Sequence, residues 1–376
     1  MDRIFAILAF VGVPLVGIGA FLHWSAITMF VLCCIAIIAL SGYIGRATES
    51  LAIVSGPRVG GLLNATFGNA VELIISIFTL KAGLVGIVLA SLTGSVLGNL
   101  LLVLGLSFFA GGIKFQRQKF SLHDARYNSG LLIFAIIVAF VIPEVFSMSM
   151  DPRTTFNLSI GISVILIAIY LAGLFFKLVT HRGVFSSSDV PAEETEEPEW
   201  TKGRSILVLL VATVAVAFVS EQLVHTFETL GEKFGWTELF IGVIIVAIVG
   251  NAAEHVSAIT MAIKNRMDVS VEIAVGSTLQ VAMFVAPILV LISIFMPVAM
   301  PLVFTIPELV AMITAALLVI NLSNDGESNW FEGLILFAAY IIMGIGFYLY
   351  KQTAAGGGAA VFRASNGGIG GPVLSE

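Results

Sequence analysis

Gly68-Asn69-Ala70-Val71-Glu72 returns as Gly250-Asn251-Ala252-Ala253-Glu254, at an offset of 182 positions (250 − 68 = 182). The same offset aligns Gly94-Ser95 with Gly276-Ser277 and Leu97 with Leu279, without a gap. One five-residue match carries little in a chain with 37 glycines. A second match in the same register, 26 residues further on (94 − 68 = 26), marks a duplication. Each copy sets one glutamate in an apolar run, Glu72 within Val59–Leu80 and Glu254 within Leu239–Ile263. His255 is the other titratable residue there, and neither run holds a Lys or Arg.

Composition says what surrounds those runs. The chain is 58% hydrophobic and 11% charged, with a mean hydropathy of +1.05. Soluble domains carry roughly 25% charged residues. A chain this poor in charge cannot clothe a water-facing surface, so its exterior meets lipid. The net charge of −6 is too small to imply nucleic acid or a steered partner. Cys33 and Cys34 are adjacent, so no disulfide framework follows.

With about 20 apolar residues per crossing, eleven segments read as spans: 5–22, 25–45, 62–82, 84–111, 127–146, 158–180, 204–224, 238–263, 270–296, 303–321 and 330–350. Residues 1–24 lack a small-residue cleavage site and read as a first span, not a removed signal peptide. An acidic linker, 184–203, with Asp189, Glu193, Glu194, Glu196, Glu197 and Glu199, separates the sixth span from the seventh. With the N-terminus inside, only Lys81, Arg153, Lys233, Lys351 and Arg363 of the 18 Lys and Arg fall outside, leaving 13 inside (18 − 5 = 13). Cytoplasmic loops collect Lys and Arg, so a cytoplasmic N-terminus and a cytoplasmic linker are expected. Residues 353–376, Gly-rich and then mixed, read as a disordered tail or an expression remnant.

Span count and repeat offset together predict an all-α membrane protein: an N-terminal helix at 1–24, then five-helix repeats at 25–183 and 204–352. Five is odd, so the second copy enters from the opposite side. Such inverted repeats place a substrate site near the midplane, between the halves.

An ionised carboxylate near the bilayer centre is costly unless it is paired, protonated or cation-bound. Glu72 and Glu254 at equivalent repeat positions favour function over a permanently neutral structural role. Gly68 and Gly250, each before an Asn, mark expected helix breaks whose freed carbonyls can face a cation; they also suit close helix packing. Ca2+ takes 6–8 oxygen ligands. Glu72, Glu254, Asn69, Asn251, Ser95 and Ser277 make an all-oxygen set, with the serines read either as ligands or as packing hydroxyls. No Cys–His cluster of zinc type occurs, while Mn2+ shares the preference for hard oxygens. One divalent cation discharges two carboxylates, and so do two protons. A site too costly to move empty therefore exchanges one for the other.

These residues resemble the Ca2+/H+ exchangers of the Ca2+/cation antiporter superfamily, of bacterial type. The resemblance rests on Gly56-Pro57-x-x-Gly60-Gly61-Leu62-Leu63-Asn64-Ala65-Thr66-Phe67-Gly68-Asn69-Ala70-Val71-Glu72 and on Gly250–His255. Gly94-Ser95 through Leu100–Gly105 and Gly276–Gln280 fit as well, and the likeness covers nearly all of 5–350. It implies eleven spans with an acidic segment between the halves, Ca2+ and proton binding at Glu72 and Glu254, and assistance from His255 and Gln280. Gly98 stands where many relatives carry Ser before Asn99. The absence of a long N-terminal extension of the plant vacuolar type implies a bacterial cell membrane.

His255 either relays protons and tunes its neighbouring carboxylate or packs as a hydrogen-bonded residue. The Gln280 amide can donate to a Glu or bind a cation. Glu221, Glu228 and Glu238 either line an outer vestibule or are ordinary surface carboxylates. The linker is a solvated loop or a Ca2+ sensor. The expected activity is Ca2+/H+ antiport by alternating access, with a Na+-coupled Ca2+ (or Mn2+) exchanger as the alternative. A channel suits the paired repeat less well. No H-E-x-x-H or G-x-S-x-G pattern supports an enzyme. The expected partners are Ca2+, H+ and the bilayer, without a cofactor; a homo-oligomer is left open.

Overall fold

The computed structural model describes residues 2–181 and 198–350. Most of the expected linker, with Asp189 through Glu197, and the 353–376 tail lie outside the described residues. In chain order the helices are α1 (Asp2–Phe21), α2 (Ala26–Ser55), α3 (Pro57–Phe67), α4 (Ala70–Lys81), α5 (Val85–Lys114), α6 (Leu122–Ser147), α7 (Pro152–Thr180), α8 (Lys202–Phe234), α9 (Glu238–Gly250), α10 (Ala252–Ile263), α11 (Met267–Ser293), α12 (Ile306–Leu322) and α13 (Trp330–Leu349). Among the described residues, seven of them (α2, α5, α6, α7, α8, α11 and α13) are long and apolar enough to cross a membrane. The pair α9–α10, bent by 62°, passes the same test together. The apolar stretch Ile7–Phe21 of α1 and the helix α12 are shorter.

The helices overrun the apolar windows read from the sequence. α2 reaches Ser55 instead of 45, α6 starts at Leu122 instead of 127, α7 at Pro152 instead of 158, and α8 reaches Phe234 instead of 224. Backbone hydrogen bonding continues past the point where side chains turn polar, so hydropathy marks the lipid-facing length and caps mark the true ends. At α7 the Asp151 side chain accepts from the Arg153 and Thr154 amides (3.0 and 3.1 Å) and from the Thr154 hydroxyl (2.5 Å). The hydroxyl bond, followed by the amide bonds, holds this exposed carboxyl below its ordinary range. Pro152 follows at the first helical position, where it needs no partner. α8 stops at Gly235, whose φ of 67° is the left-handed cap that glycine takes without strain.

The all-α expectation needs one amendment. Gln118–Lys119 (β1) and Glu327–Ser328 (β2) form a short antiparallel ribbon. Gln118 is buried, and its amide donates to the Ala262 carbonyl (2.9 Å) and to Asn265 (3.0 Å). Lys114 donates to the Ile263 carbonyl (3.0 Å). These contacts pin the C-terminal end of α10, where a cation also suits the helix dipole. They define the ribbon face of the molecule.

Two apolar cores organise the molecule. One joins α5, α6, α7, α11, α12 and α13; the other joins α1, α2 and α8 with Val71 and Ile75 of α4 and Val246 and Val249 of α9. α5 is apolar all round and its main apolar stretch is 94% buried, which makes it the central helix, shielded from lipid. The broken pairs α3–α4 and α9–α10 lie where the two cores meet.

Candidate functional site

Both broken pairs fail at the repeated motif. α3 ends at Phe67 and α4 begins at Ala70; α9 ends at Gly250 and α10 begins at Ala252. Asn69 (φ −100°, ψ 23°) and Asn251 (φ −106°, ψ 12°) sit at the breaks as N-caps, and neither side chain caps its own helix. Glu72 and Glu254 each follow in the first turn, where the helix N-terminus favours negative charge.

The asparagines are free to reach across the molecule. Ser95 of α5 donates to Glu72 Oε1 (2.5 Å) and accepts from Asn251 Nδ2 (2.9 Å). Ser277 of α11 lies 2.5 Å from Glu254 Oε2 and 3.2 Å from Asn69 Oδ1. Each serine thus binds the glutamate of its own repeat and the asparagine of the other. Since Asn69 and Glu72 share one helical turn, as do Asn251 and Glu254, the six residues close into a ring. A serine hydroxyl has one hydrogen, so Ser277 serves the shorter contact, to Glu254. It also accepts from Asn99 Nδ2 (3.0 Å).

Both predicted assisting residues lie here. Gln280 Oε1 accepts from Asn69 Nδ2 (2.7 Å). His255 Nε2 is buried without a hydrogen-bond partner, and a Cβ placed on Gly98 would lie 3.9 Å from it. Gly250 backs onto Glu72, where a Cβ would meet Glu72 Cβ at 3.6 Å. Glu72 Oε2 and Asn99 Oδ1, on residues bonded into this network, are likewise buried without a hydrogen-bond partner. Unpaired acceptors of this kind need a proton, a water or a cation.

Asn99 is the residue that the sequence analysis missed. Its own position signals it, four residues after Ser95 on one face of α5. The repeat conceals it, because the equivalent position is Val281. Glu221, by contrast, is remote from the ring, paired with Lys81 (3.5 Å) at partly exposed positions.

The two halves of the ring differ in access. Glu72 is 1% exposed, whereas Glu254 is only half-buried. On the Glu72 side, α5 crosses α9 through Gly94 and Gly242, and neither has room for a methyl group: Val243 and Ala247 fill the space at Gly94, and Ile87 and Ala90 at Gly242. At Gly276, the repeat equivalent of Gly94, an added Cβ meets nothing within 4 Å. α3 instead packs on α2 and on the end of α7.

Comparison with known proteins adds the lineage. A family model described as sodium/calcium exchanger protein matches residues 25–179 and 204–349. The chain belongs to this family. Among curated members, the Ca(2+)/H(+) antiporter ChaA of Bacillus subtilis (strain 168) is 68% identical over 350 residues, covering 93% of this chain and 100% of the relative. The solved structure of native YfkE superposes with a TM-score of 0.82 at 63% identity, covering 92% of this chain and 100% of the other. The crystal structure of the H+/Ca2+ exchanger CAX shares the fold, with a TM-score of 0.71 at 16% identity over 97% of this chain and 91% of its own. These relatives are transporters, and the exchanger family is a family of multi-helix membrane proteins.

Proposed function

We propose that this protein exchanges Ca2+ for protons across the cell membrane by alternating access, with Glu72 and Glu254 as the shared carriers of cation and proton. The observation that carries the reading is the ring, in which two membrane carboxylates from different repeats are joined through Ser95–Asn251 and Ser277–Asn69. The 68% identity to a protein named as a Ca(2+)/H(+) antiporter supports the choice of ions.

The chemistry follows from charge. With both glutamates ionised the ring carries two negative charges in apolar surroundings, a costly state. Ca2+ is an oxygen seeker, and Glu72 Oε2, Asn99 Oδ1 and the carboxylate of Glu254 offer oxygens around it. Two protons discharge the same pair. A protonated Glu254 becomes a donor, and the Ser277 hydroxyl is then released toward Asn69 Oδ1, 3.2 Å away. The ring stays hydrogen-bonded in either loading, whereas the empty, doubly charged state has no such balance. Gln280 orients Asn69; His255, aimed at the gap left by Gly98, is the polar group next to Glu254 through which protons pass.

Eleven spans, with the α3–α4 and α9–α10 pairs each counted once, complete the reading: 25–183 and 204–352 are inverted repeats behind an N-terminal helix. The positive-inside count puts the ribbon face in the cytoplasm. The conformation described here is then closed outward at Gly94 and Gly242 and open inward beside Glu254 and Gly276. Alternating access exchanges these two conditions.

The test is flux in proteoliposomes. An imposed proton gradient should drive 45Ca accumulation, and a Na+ gradient alone should not. Accumulation driven by Na+ and indifferent to protons would replace this reading with that of a Na+-coupled exchanger.

A further inference from the structure

Three successive residues of α5 are each held by a different element. Ser95 faces the ring. Gly94 is pressed against the backbone of α9 at Val243. Thr93, fully buried, donates from Oγ1 to Glu308 Oε1 of α12 (3.4 Å). Successive helical residues point about 100° apart, so three in a row grip the helix from most of its circumference. α5 can then neither roll nor slide without breaking one of them.

Glu308 of α12 is buried in this membrane protein, at 0% exposure, and the exchange chemistry above does not use it. Its other oxygen, Oε2, accepts from the Thr305 amide (2.7 Å) and hydroxyl (2.6 Å), forming the capping box that opens α12. Capping therefore occupies one carboxylate oxygen, while the other accepts from Thr93 of α5. The repeat equivalents lack this device, because Val275 stands at the position of Thr93 and Arg126 at that of Glu308.

We infer that Glu308 is a positioning residue of the ion site: anchored at the start of α12, it holds Thr93 and so sets the rotation of α5 that presents Ser95 to Glu72 and Asn251. This rests on the proposed role of Glu72 and deepens it. Capping alone would make the carboxylate a matter of α12 stability, with no bearing on Ca2+ binding.

The two roles separate at Thr93, which takes no part in the cap. Purified full-length protein in proteoliposomes is assayed for Ca2+ half-saturation and maximal rate at several pH values, for Thr93→Val, Thr93→Ser, Glu308→Gln and the double variant Thr93→Val/Glu308→Gln. Thr93→Val should raise the half-saturation concentration about fivefold, the weight of one hydrogen bond, and shift the acid limb of the pH profile. Glu308→Gln should do at least as much, the double variant no more than Glu308→Gln alone, and Thr93→Ser should restore the parent values. A Thr93→Val protein with the parent half-saturation and pH profile, beside a Glu308→Gln protein that only melts earlier, would overturn the inference and leave Glu308 a cap. Glu72→Gln is run alongside: if it transports normally, the ion-site reading itself has failed, which differs from failure at Thr93.

Discussion

Around Glu72 the helices α5 and α9 touch through glycines too crowded to accept a methyl group, and the carboxylate is shut away from solvent. Around Glu254 the equivalent glycine, Gly276, has open space, and the residue is only half-buried. The ring residues are the same in both halves, so the motif does not cause the difference. It lies in how tightly the flanking helices close on each copy. Under the proposed alternating access, a duplicated sequence held in two unlike packings would serve as a two-sided gate, since exchanging the packings between the copies would move the opening to the other face.

The largest expected effects come from forcing that exchange to fail. Gly94→Ala places a methyl group against the Val243 backbone and should cost about 1–3 kcal/mol by overpacking, visible as a lowered melting temperature together with lost transport. Gly276→Ala should melt like the parent protein, because nothing crowds that position in this conformation. It should nevertheless slow transport at least tenfold if Gly276 becomes the crowded position once the gate reverses. Equal melting losses for both variants would break the comparison.

Smaller effects sharpen it. Asn251→Ala cuts the ring at Ser95 on the closed side, and Asn69→Ala cuts it at Ser277 and Gln280 on the open side. At about 1 kcal/mol per bond lost, each should raise Ca2+ half-saturation by about fivefold or more, Asn69→Ala more than Asn251→Ala. Gln280→Ala removes one bond and should cost less than Asn69→Ala. Lowering the pH should raise the half-saturation concentration of the parent protein, since protons fill the carboxylates that Ca2+ needs; a pH-independent affinity would separate the two ions. Gln118→Ala should cost about 1 kcal/mol of stability with little change in affinity, because Gln118 pins α10 at the ribbon and touches no ring residue.

How much of this was legible in the sequence depended on whether a residue had a mate 182 positions away. Glu72 with Glu254, Asn69 with Asn251 and Ser95 with Ser277 were all read in advance, and so were the paired glycines. The residues that make the halves unlike could not be found this way. Asn99 answers to Val281, Thr93 to Val275, Glu308 to Arg126 and Gly98 to Gln280. Gln280 entered through family resemblance, whereas Asn99, Thr93 and Glu308 emerged only from the fold. Helix ends were misread where capping residues such as Asp151 extend a helix beyond its apolar length. The ribbon was invisible because each of its strands is two residues long, too short for any alternating pattern.

The most direct test of the central claim is proton-driven 45Ca uptake into everted vesicles by Glu72→Gln and by Glu254→Gln, each at parent-level expression. Glutamine keeps the size and one oxygen but cannot ionise, so uptake should fall to background in both variants. Proton-driven uptake at the parent rate in either one would contradict the account.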